Sequence, residues 1–184
     1  MKHADAIELI REAVGGRGGA WADFGAGTGT FTRALAALLG AGSTVFAVDD
    51  DARAVRALRE LSTSTSGGAR VIAVKADFAQ PVVLPGLVRG QAQLDGILLA
   101  NALHFVRDQE RVLSRLVEHL RPGGRAIVVE YDRREASRWV PFPIPASQWP
   151  QLAESAGLAE PSITATRPSS YSGVLYTCVA TNSR

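Results

Sequence analysis

The sequence predicts an α/β fold built on a mostly parallel sheet. Short apolar runs typical of buried strands alternate with segments whose apolar residues recur at helical spacing. A glycine-rich turn directly follows the first of these runs, as at the start of many βαβ units. The chain has 184 residues, of which 46% are hydrophobic and 21% charged. This composition predicts one domain over residues 1–184 with a full apolar core.

The strand and helix predictions follow the chain in order. Five strands are predicted at Trp21–Phe24, Thr44–Val48, Val71–Lys75, Leu94–Ala100 and Ala126–Val129. Helices are predicted at Ala4–Val14, Phe31–Leu39, Ala54–Leu61 and Val112–Leu120, the last ended by Pro122-Gly123-Gly124. The polar run Ser62–Gly68 is expected to be a turn, and Gln80–Gln93 a loop.

The last third of the chain has a different character. Arg133–Pro150 carries four prolines and two tryptophans and is predicted to be an irregular connection. A short helix is expected at Gln151–Ala156. The runs Ile163–Thr166 and Val174–Ala180 flank a turn rich in Ser, Pro and Gly, and they predict a closing antiparallel hairpin.

Composition also bears on the class of protein. No apolar run approaches the ~18 residues that span a bilayer, and the N-terminal residues lack an apolar signal core. Cys178 is the only cysteine, so neither a disulfide framework nor a Cys-based zinc site is predicted, and a cytoplasmic location is expected. His3, His104 and His119 are too dispersed to suggest metal ligands. The net charge of +2 comes from scattered arginines and is compatible with an anionic substrate.

The most informative motif is the glycine-rich turn Asp23–Gly29. Glycines at such a turn let the backbone approach a ligand without a Cβ in the way, and the helix that follows presents free N–H groups. A strict dinucleotide fingerprint would require a glycine at position 30, which is Thr30 here. The third glycine is Gly29 instead, and an acidic residue stands two positions before the first glycine.

Acidic residues follow the next two strands. Asp49 lies 20 residues beyond Gly29, where a carboxylate can accept both hydroxyls of a ribose. Asp50 and Asp51 stand beside it, and Asp51 is better placed as the N-cap of the next helix. The pair Asp77-Phe78 offers a carboxylate for an exocyclic amine and a ring for a purine face, although an ordinary turn would also explain it.

Taken in order, five elements resemble the motifs of class I S-adenosylmethionine-dependent methyltransferases. They are Asp23–Gly29, Asp49, Asp77-Phe78, the run Leu94–Ile97 leading into Asn101–Phe105, and Leu120–Gly124. The resemblance spans roughly residues 20 to 130. It implies a Rossmann-like three-layer sandwich whose seven-stranded, mostly parallel sheet ends in a C-terminal antiparallel hairpin. It also implies S-adenosylmethionine as cofactor and S-adenosylhomocysteine as product.

The resemblance assigns cofactor-binding roles to the matching positions. The methionine end falls to Asp23, Gly25, Ala26, Gly27, Thr28 and Gly29. Asp49, with Asp50 beside it, is expected at the ribose, and Asp77 with Phe78 at the adenine. Asn101 is expected beside the sulfonium.

Methyl transfer requires mainly alignment of the reactants in a dry pocket, and a general base only if the acceptor must lose a proton. The catalytic candidates are His104, Tyr131 and Tyr171, at the end of the sheet where open α/β folds bind ligands. His104 could equally pack or cap a loop. The stretch Asn101–His104 contains no prolines, unlike the matching motif of the family's amino-methylating nucleic-acid enzymes. This argues against methylation of adenine N6 or cytosine N4 and leaves other RNA or protein acceptors open.

The acceptor is expected to be a small or medium-sized molecule. A basic and aromatic cluster could hold an anionic or aromatic substrate or could be a solvated connector: Arg133, Arg134, Arg138 and Trp139. Only about 20 residues precede the first motif, so an open site is expected, one that takes a large substrate or is completed by a second subunit, in a homodimer or with another partner. The alternatives are a non-catalytic S-adenosylmethionine-binding subunit and a nicotinamide-dependent oxidoreductase.

Overall fold

The computed structural model describes residues 1–16, 18–64, 68–87, 93–133, 135–169 and 173–183, and they form one seven-stranded sheet between two layers of helices. The strands are β1 (Ala20–Phe24), β2 (Thr44–Asp49), β3 (Arg70–Lys75), β4 (Leu94–Ala100), β5 (Leu120–Tyr131), β6 (Leu158–Pro168) and β7 (Val174–Asn182). The helices are α1 (His3–Val14), α2 (Thr30–Leu39), α3 (Ala52–Ser64), α4 (Gln109–Val117) and α5 (Trp149–Ser155).

The sheet has the strand order β3-β2-β1-β4-β5-β7-β6. Strands β1 to β5 pair in parallel, whereas β7 lies antiparallel between β5 and β6. The predicted Rossmann-like sandwich with a C-terminal antiparallel hairpin is therefore confirmed.

Two apolar clusters, one on each face of the sheet, hold the layers together. On one face α1 and α2 pack together with the apolar side of α3, and on the other face α4 and α5 cover the sheet. Side chains of β1 alternate between the two, so Trp21 belongs to the first cluster and Phe24 to the second. Gly96 on neighbouring β4 leaves room for the Trp21 ring, since a Cβ there would lie 2.1 Å from Cζ3 of that ring.

The main correction concerns the boundary between α4 and β5. The helix ends at Val117, and Leu120 already pairs with Leu94 as the first residue of β5. The next ladder pair is Gly96 with Arg125, so residues 121–124 bulge out of the strand instead of ending a helix. Pro122 is tolerated there because it does not have to donate a ladder hydrogen bond.

Smaller differences occur elsewhere. Helix α3 runs on to Ser64, where a turn from Ser62 was predicted. Strand β6 extends well beyond the predicted Ile163–Thr166, and α5 begins at Trp149 with Pro150 in its first turn, where proline needs no N–H partner. None of the helices in the described part of the chain has the length and apolar character needed to cross a membrane.

Candidate active site

The glycine-rich turn between β1 and α2 is tied to the end of β2. The amides of Gly25 and Ala26 both donate to the carbonyl of Val48, at 2.9 and 3.0 Å, and the amide of Gly27 donates to Oδ2 of Asp49 at 2.8 Å. Gly25 has φ +73°, and a Cβ there would lie 2.6 Å from the Cβ of Ala102. The turn therefore requires glycine at position 25 for both its conformation and its close packing.

Asp23 lies under this turn with only 1% of its surface exposed. The hydroxyl of Thr32 donates to its Oδ2 at 2.6 Å, while its Oδ1 has no hydrogen-bond partner among the described residues. Burial raises the pKa of Asp23 to about 7, the Thr32 hydrogen bond opposes this shift, and the charge of Asp49 adds to it. Asp23, Ala26, Thr28 and Asn101 line a cavity of about 440 Å³, here called the methionine cavity.

A second cavity of about 550 Å³, here called the adenosine cavity, lies along the ends of β2 and β3. It is lined by Asp49, Asp50, Asp77 and Phe78 together with Gly25, Gly27 and Asn101. Asp49 accepts from the amides of Gly27 and Asp51, at 2.8 and 2.9 Å. Asp51 caps α3 by accepting from the amides of Arg53 and Ala54, as predicted. Asp77 accepts from the amide of Ala79 and so shapes the loop that carries Phe78.

Asn101 stands where the cavities meet, directly after β4. Its backbone adopts φ +53°, which is uncommon for a residue other than glycine. Its amide donates to the carbonyl of Val129 at 2.8 Å, which fixes the turn against β5. The side-chain Oδ1 is buried without a hydrogen-bond partner in the described part of the chain. Asp23 in β1 and Asn101 directly after β4 thus each place on the same cavity one polar oxygen that has no hydrogen-bond partner among the described residues.

His104 and Glu130 form a buried pair beside Asn101. His104 is 2% exposed and Glu130 is fully buried. The Nδ1 of His104 lies 2.5 Å from Oε2 of Glu130, and the backbone amide of His104 donates to Oε1 of the same carboxylate at 3.1 Å. Because an ionised carboxylate only accepts hydrogen bonds, the pair is satisfied with the proton on Nδ1. This arrangement fixes the ring orientation and leaves the lone pair of Nε2 free to act as an acceptor.

A third cavity of about 710 Å³, here called the acceptor cavity, opens in front of this pair. Its walls come from Asn101, His104, Phe105, Tyr131, Arg133, Ser137, Trp139 and Val140. Trp139 is 75% exposed and Phe105 57% exposed, so large aromatic surfaces face the solvent at its rim. Asn101 and Tyr131 line both this cavity and the methionine cavity, so the two cavities adjoin at these residues.

The proline-rich connection forms one wall of the acceptor cavity and is anchored to the core. The amide of Phe142 donates to the carbonyl of His104 at 3.0 Å, and Gln109 Nε2 donates to the carbonyl of Phe142 at 2.7 Å. The hydroxyl of Tyr176 on β7 donates to the carbonyl of Ile144 at 2.7 Å. The connection, predicted to be mostly irregular, contains a 3-10 helix at Ala146–Gln148 and the start of α5, and it is held at several points.

The catalytic candidates separate in the structure. His104 and Tyr131 lie close together, with ring centroids 6.3 Å apart, on the acceptor cavity. Tyr171 lies outside the described residues, as does Arg134 of the basic and aromatic cluster. Glu130 and Tyr131 belong to β5, whereas the sequence placed them after a shorter strand. The pairing of Glu130 with His104 is not predictable from the sequence, because 26 residues separate them and only the parallel pairing of β4 and β5 brings them together.

Comparison with solved structures gives the same fold. The chain superposes on an S-adenosylmethionine-dependent methyltransferase from Aquifex aeolicus with a TM-score of 0.70 at 14% identity, covering 99% of both chains. It superposes on the citrinin polyketide synthase CMeT domain with a TM-score of 0.71 at 20% identity, covering 92% of this chain and 48% of that one. For the CurJ carbon methyltransferase the TM-score is 0.71 at 21% identity, covering 92% of this chain and 50% of that one. The chain thus spans about half the length of these last two.

No protein of curated function matches the sequence significantly. A sequence profile described as a methyltransferase domain matches residues 22–126, which is more than half of the chain. The matched region contains the glycine-rich turn, Asp49, Asp77 and His104. The chain therefore belongs to the methyltransferase domain family.

Proposed function

We propose that this protein transfers a methyl group from S-adenosylmethionine to a carbon atom of its acceptor, after His104 removes a proton from that carbon. The observation that carries the proposal is the buried His104–Glu130 pair on the wall of the acceptor cavity, next to Asn101. The predicted cofactor residues line the two adjoining cavities.

The residues present fit S-adenosylmethionine. The buried Oδ1 atoms of Asp23 and Asn101 are unpaired acceptors among the described residues, and a methionine ammonium supplies the donors that they lack. The carboxylates of Asp49 and Asp50 would hold the ribose, and Asp77 with Phe78 the adenine. Thr28 and the glycine-rich turn would enclose the methionine end. When bound, the cofactor supplies an electrophilic methyl group on sulfur.

The histidine favours one class of acceptor over others. A neutral amine or a thiolate already has a nucleophilic lone pair, whereas an acidic C–H group must first lose its proton. Nε2 of His104 would take that proton, and Glu130 would stabilise the resulting imidazolium through Nδ1–H. The deprotonated carbon would then be the nucleophile toward the methyl group that the bound cofactor supplies, and the electron pair of the methyl–sulfur bond would remain on the sulfur of S-adenosylhomocysteine.

The acceptor cavity also supports this substrate class. Phe105 and Trp139 offer flat apolar surfaces, and Arg133 offers a positive charge. These groups suit a conjugated anion such as the enolate of a 1,3-dicarbonyl compound. The structural neighbours include the CurJ carbon methyltransferase, whose name states transfer to carbon. A non-catalytic S-adenosylmethionine-binding subunit would not need a buried base, so the pair favours the enzyme over that alternative.

The test uses an acetoacetyl thioester as acceptor and separates cofactor binding from catalysis. His104→Gln should leave the Kd for S-adenosylhomocysteine, measured by calorimetry, within about twofold. It should lower the methylation rate by roughly 10²–10⁴, the usual contribution of a general base. The same variant should slow the enzyme-dependent exchange of the acidic carbon-bound hydrogens for deuterium, an assay that needs no methyl donor.

Glu130 acts as a positioning residue. Glu130→Gln keeps an oxygen that can accept from Nδ1–H and should retain more activity than Glu130→Ala, with kcat falling and KM little changed. His119→Gln serves as the matched control, because His119 lies at the opposite end of β5, next to Leu120. Unchanged methylation and exchange in a folded His104→Gln variant would refute the role of this histidine.

A further inference from the structure

An ion pair crosses the mouth of the methionine cavity. The mouth is formed by the first turn of α1 and by the end of β6, and its lining includes Met1, Asp5, Arg167, Pro168 and Ser169. One terminal nitrogen of Arg167 lies 2.8 Å from Oδ1 of Asp5. The pair therefore joins the N-terminal helix to the C-terminal hairpin at the cavity in which the cofactor's amino-acid end is expected.

Asp5 is held from two sides, whereas Arg167 can change partners. The backbone amide of Lys2 donates to Oδ2 of Asp5 at 3.3 Å, so this carboxylate also stabilises the start of α1. Arg167 is 38% exposed and its second acidic neighbour, Glu8, lies 3.9 Å away and is 75% exposed. An exposed pair of this kind contributes little stability, so exchanging one carboxylate for another costs little.

The charges around the cavity leave one part of the ligand without a partner. Asp23 and Asn101 offer acceptors at the floor, which suit an ammonium group. The α-carboxylate of the cofactor's methionine needs hydrogen-bond donors instead. Among the described residues lining this cavity, Arg167 is the only one with a cationic side chain, and a guanidinium can bind a carboxylate through two parallel hydrogen bonds.

We propose that Arg167 binds the α-carboxylate of the cofactor's methionine and that this carboxylate displaces Asp5 from the guanidinium. The inference rests on the proposed S-adenosylmethionine site and adds a residue that selects ligands with an intact amino-acid end. It also connects occupancy of the cavity to the contact between α1 and β6, because the ligand and Asp5 compete for the same cation.

The experiment compares two ligands that differ only in the carboxylate: S-adenosylhomocysteine and its decarboxylated form. Calorimetry gives the Kd of each for the wild type, Arg167→Gln and Asp5→Asn. Arg167→Gln should raise the Kd for S-adenosylhomocysteine about tenfold, the loss expected for one charge-assisted contact. The Kd for the decarboxylated ligand should stay within about twofold of its wild-type value. Asp5→Asn keeps an oxygen for the Lys2 amide but removes the competing charge. This variant should therefore lower the Kd for S-adenosylhomocysteine and leave the Kd for its decarboxylated form unchanged.

Controls separate a ligand contact from a structural role. Arg167→Lys, which keeps the charge without the bidentate geometry, should lie between wild type and Arg167→Gln, and Glu8→Gln should bind like wild type. Equal weakening of both ligands in Arg167→Gln, or no weakening of either, would overturn the proposal for Arg167. If the wild type bound neither ligand, the proposed cofactor site itself would be refuted. That result differs from the two outcomes that overturn the role of Arg167.

Discussion

At the scale of single residues, Asp23 shows how burial prepares a carboxylate for a cationic ligand. Its side chain is enclosed under the glycine-rich turn, where only Thr32 donates to it among the described residues, and its pKa is raised to about 7. In the unfolded chain the pKa of the same group stays near its ordinary value of 3.8. At pH values between 3.8 and about 7, the folded protein therefore holds a proton on Asp23 that the unfolded chain has released.

This difference predicts that Asp23 makes the protein less stable as the pH rises. The stabilising effect of the bound proton is complete below pH ~4 and is lost as the pH rises through about 7. One pKa unit corresponds to about 1.4 kcal/mol, so the total is on the order of 4 kcal/mol. Asp23→Asn has no titrating group at this site. The free energy of unfolding of this variant, relative to wild type, should therefore increase from pH 4.5 to pH 8.

Urea unfolding followed by circular dichroism at several pH values measures this trend. Asp132→Asn is the matched control, because Asp132 is exposed and accepts a single backbone hydrogen bond, from the amide of Ala146. A constant difference between Asp23→Asn and wild type across the range would show that Asp23 ionises normally in the folded protein.

The candidate site illustrates which residues a sequence can indicate. The glycine-rich turn is predictable because it depends on neighbouring residues alone. Gly25 and Gly27 adopt positive φ angles, and the helix begins only a few residues later. His104 was predicted as one of several bases, but nothing nearby distinguished it from a packing histidine. Its partner Glu130 comes from the next strand, so only the folded sheet identifies the pair.

At the scale of secondary-structure elements, strands buried on both faces were the easiest to predict. β4 matches its predicted bounds, Leu94–Ala100, because five of its seven residues are apolar, four of them in the run Ile97–Ala100. The end of α4 was not predictable from periodicity, since Leu120 continues the helical apolar pattern and yet pairs with Leu94. β6 was predicted too short because it lies at the edge of the sheet, where its exposed residues show no apolar alternation.

The proline-rich connection is an element whose position depends on a few hydrogen bonds. Tyr176→Phe removes the bond from the buried hydroxyl to the carbonyl of Ile144. It should lower the free energy of unfolding by about 1–2 kcal/mol, because the buried carbonyl loses its donor. Since this connection forms the wall of the acceptor cavity, KM for the acceptor should rise while the Kd for S-adenosylhomocysteine stays unchanged.

Denaturant unfolding, methylation kinetics and calorimetry measure these three quantities on the same variant. Ser137 provides the comparison, because it lies in the same connection and its Oγ accepts from the Val140 amide at 3.1 Å, further from the core. Ser137→Ala should affect stability less than Tyr176→Phe does. Equal effects of Tyr176→Phe on cofactor and acceptor binding would show that the connection does not act on the acceptor alone.

At the scale of the whole molecule, the site lies where the strand order changes direction. From β1 the chain continues to β2 on one side, whereas β4 pairs with β1 on the other side. Open α/β sheets bind ligands at the carboxyl ends of the strands beside such a point. Gly25 after β1 and Asn101 after β4 stand on its two sides, and all three cavities include Asn101. The alternation of strands and helices is therefore enough to predict the edge of the sheet at which these three cavities lie.

Ligand binding at this point should stabilise the entire domain. At S-adenosylhomocysteine concentrations about 100-fold above Kd the gain is roughly 2.7 kcal/mol, which corresponds to a rise in Tm of roughly 5–10 °C for a protein of this size. NAD, the ligand of the oxidoreductase alternative, should give no rise. Asp49 connects the glycine-rich turn to the start of α3 through two backbone amides, and it also faces the adenosine cavity.

Asp49→Asn should therefore change two quantities at once. The asparagine has one side-chain oxygen in place of two, so the amide of Gly27 or Asp51 loses its partner, and Tm without ligand should fall by a few degrees. The rise caused by S-adenosylhomocysteine should also disappear. Asp51→Asn is the control, because asparagine caps helices as well as aspartate does and Asp51 does not line the adenosine cavity. If Asp49→Asn lowered Tm but kept the full ligand-induced rise, Asp49 would serve only to hold the turn, and the ribose would have to be bound by Asp50 or by the backbone.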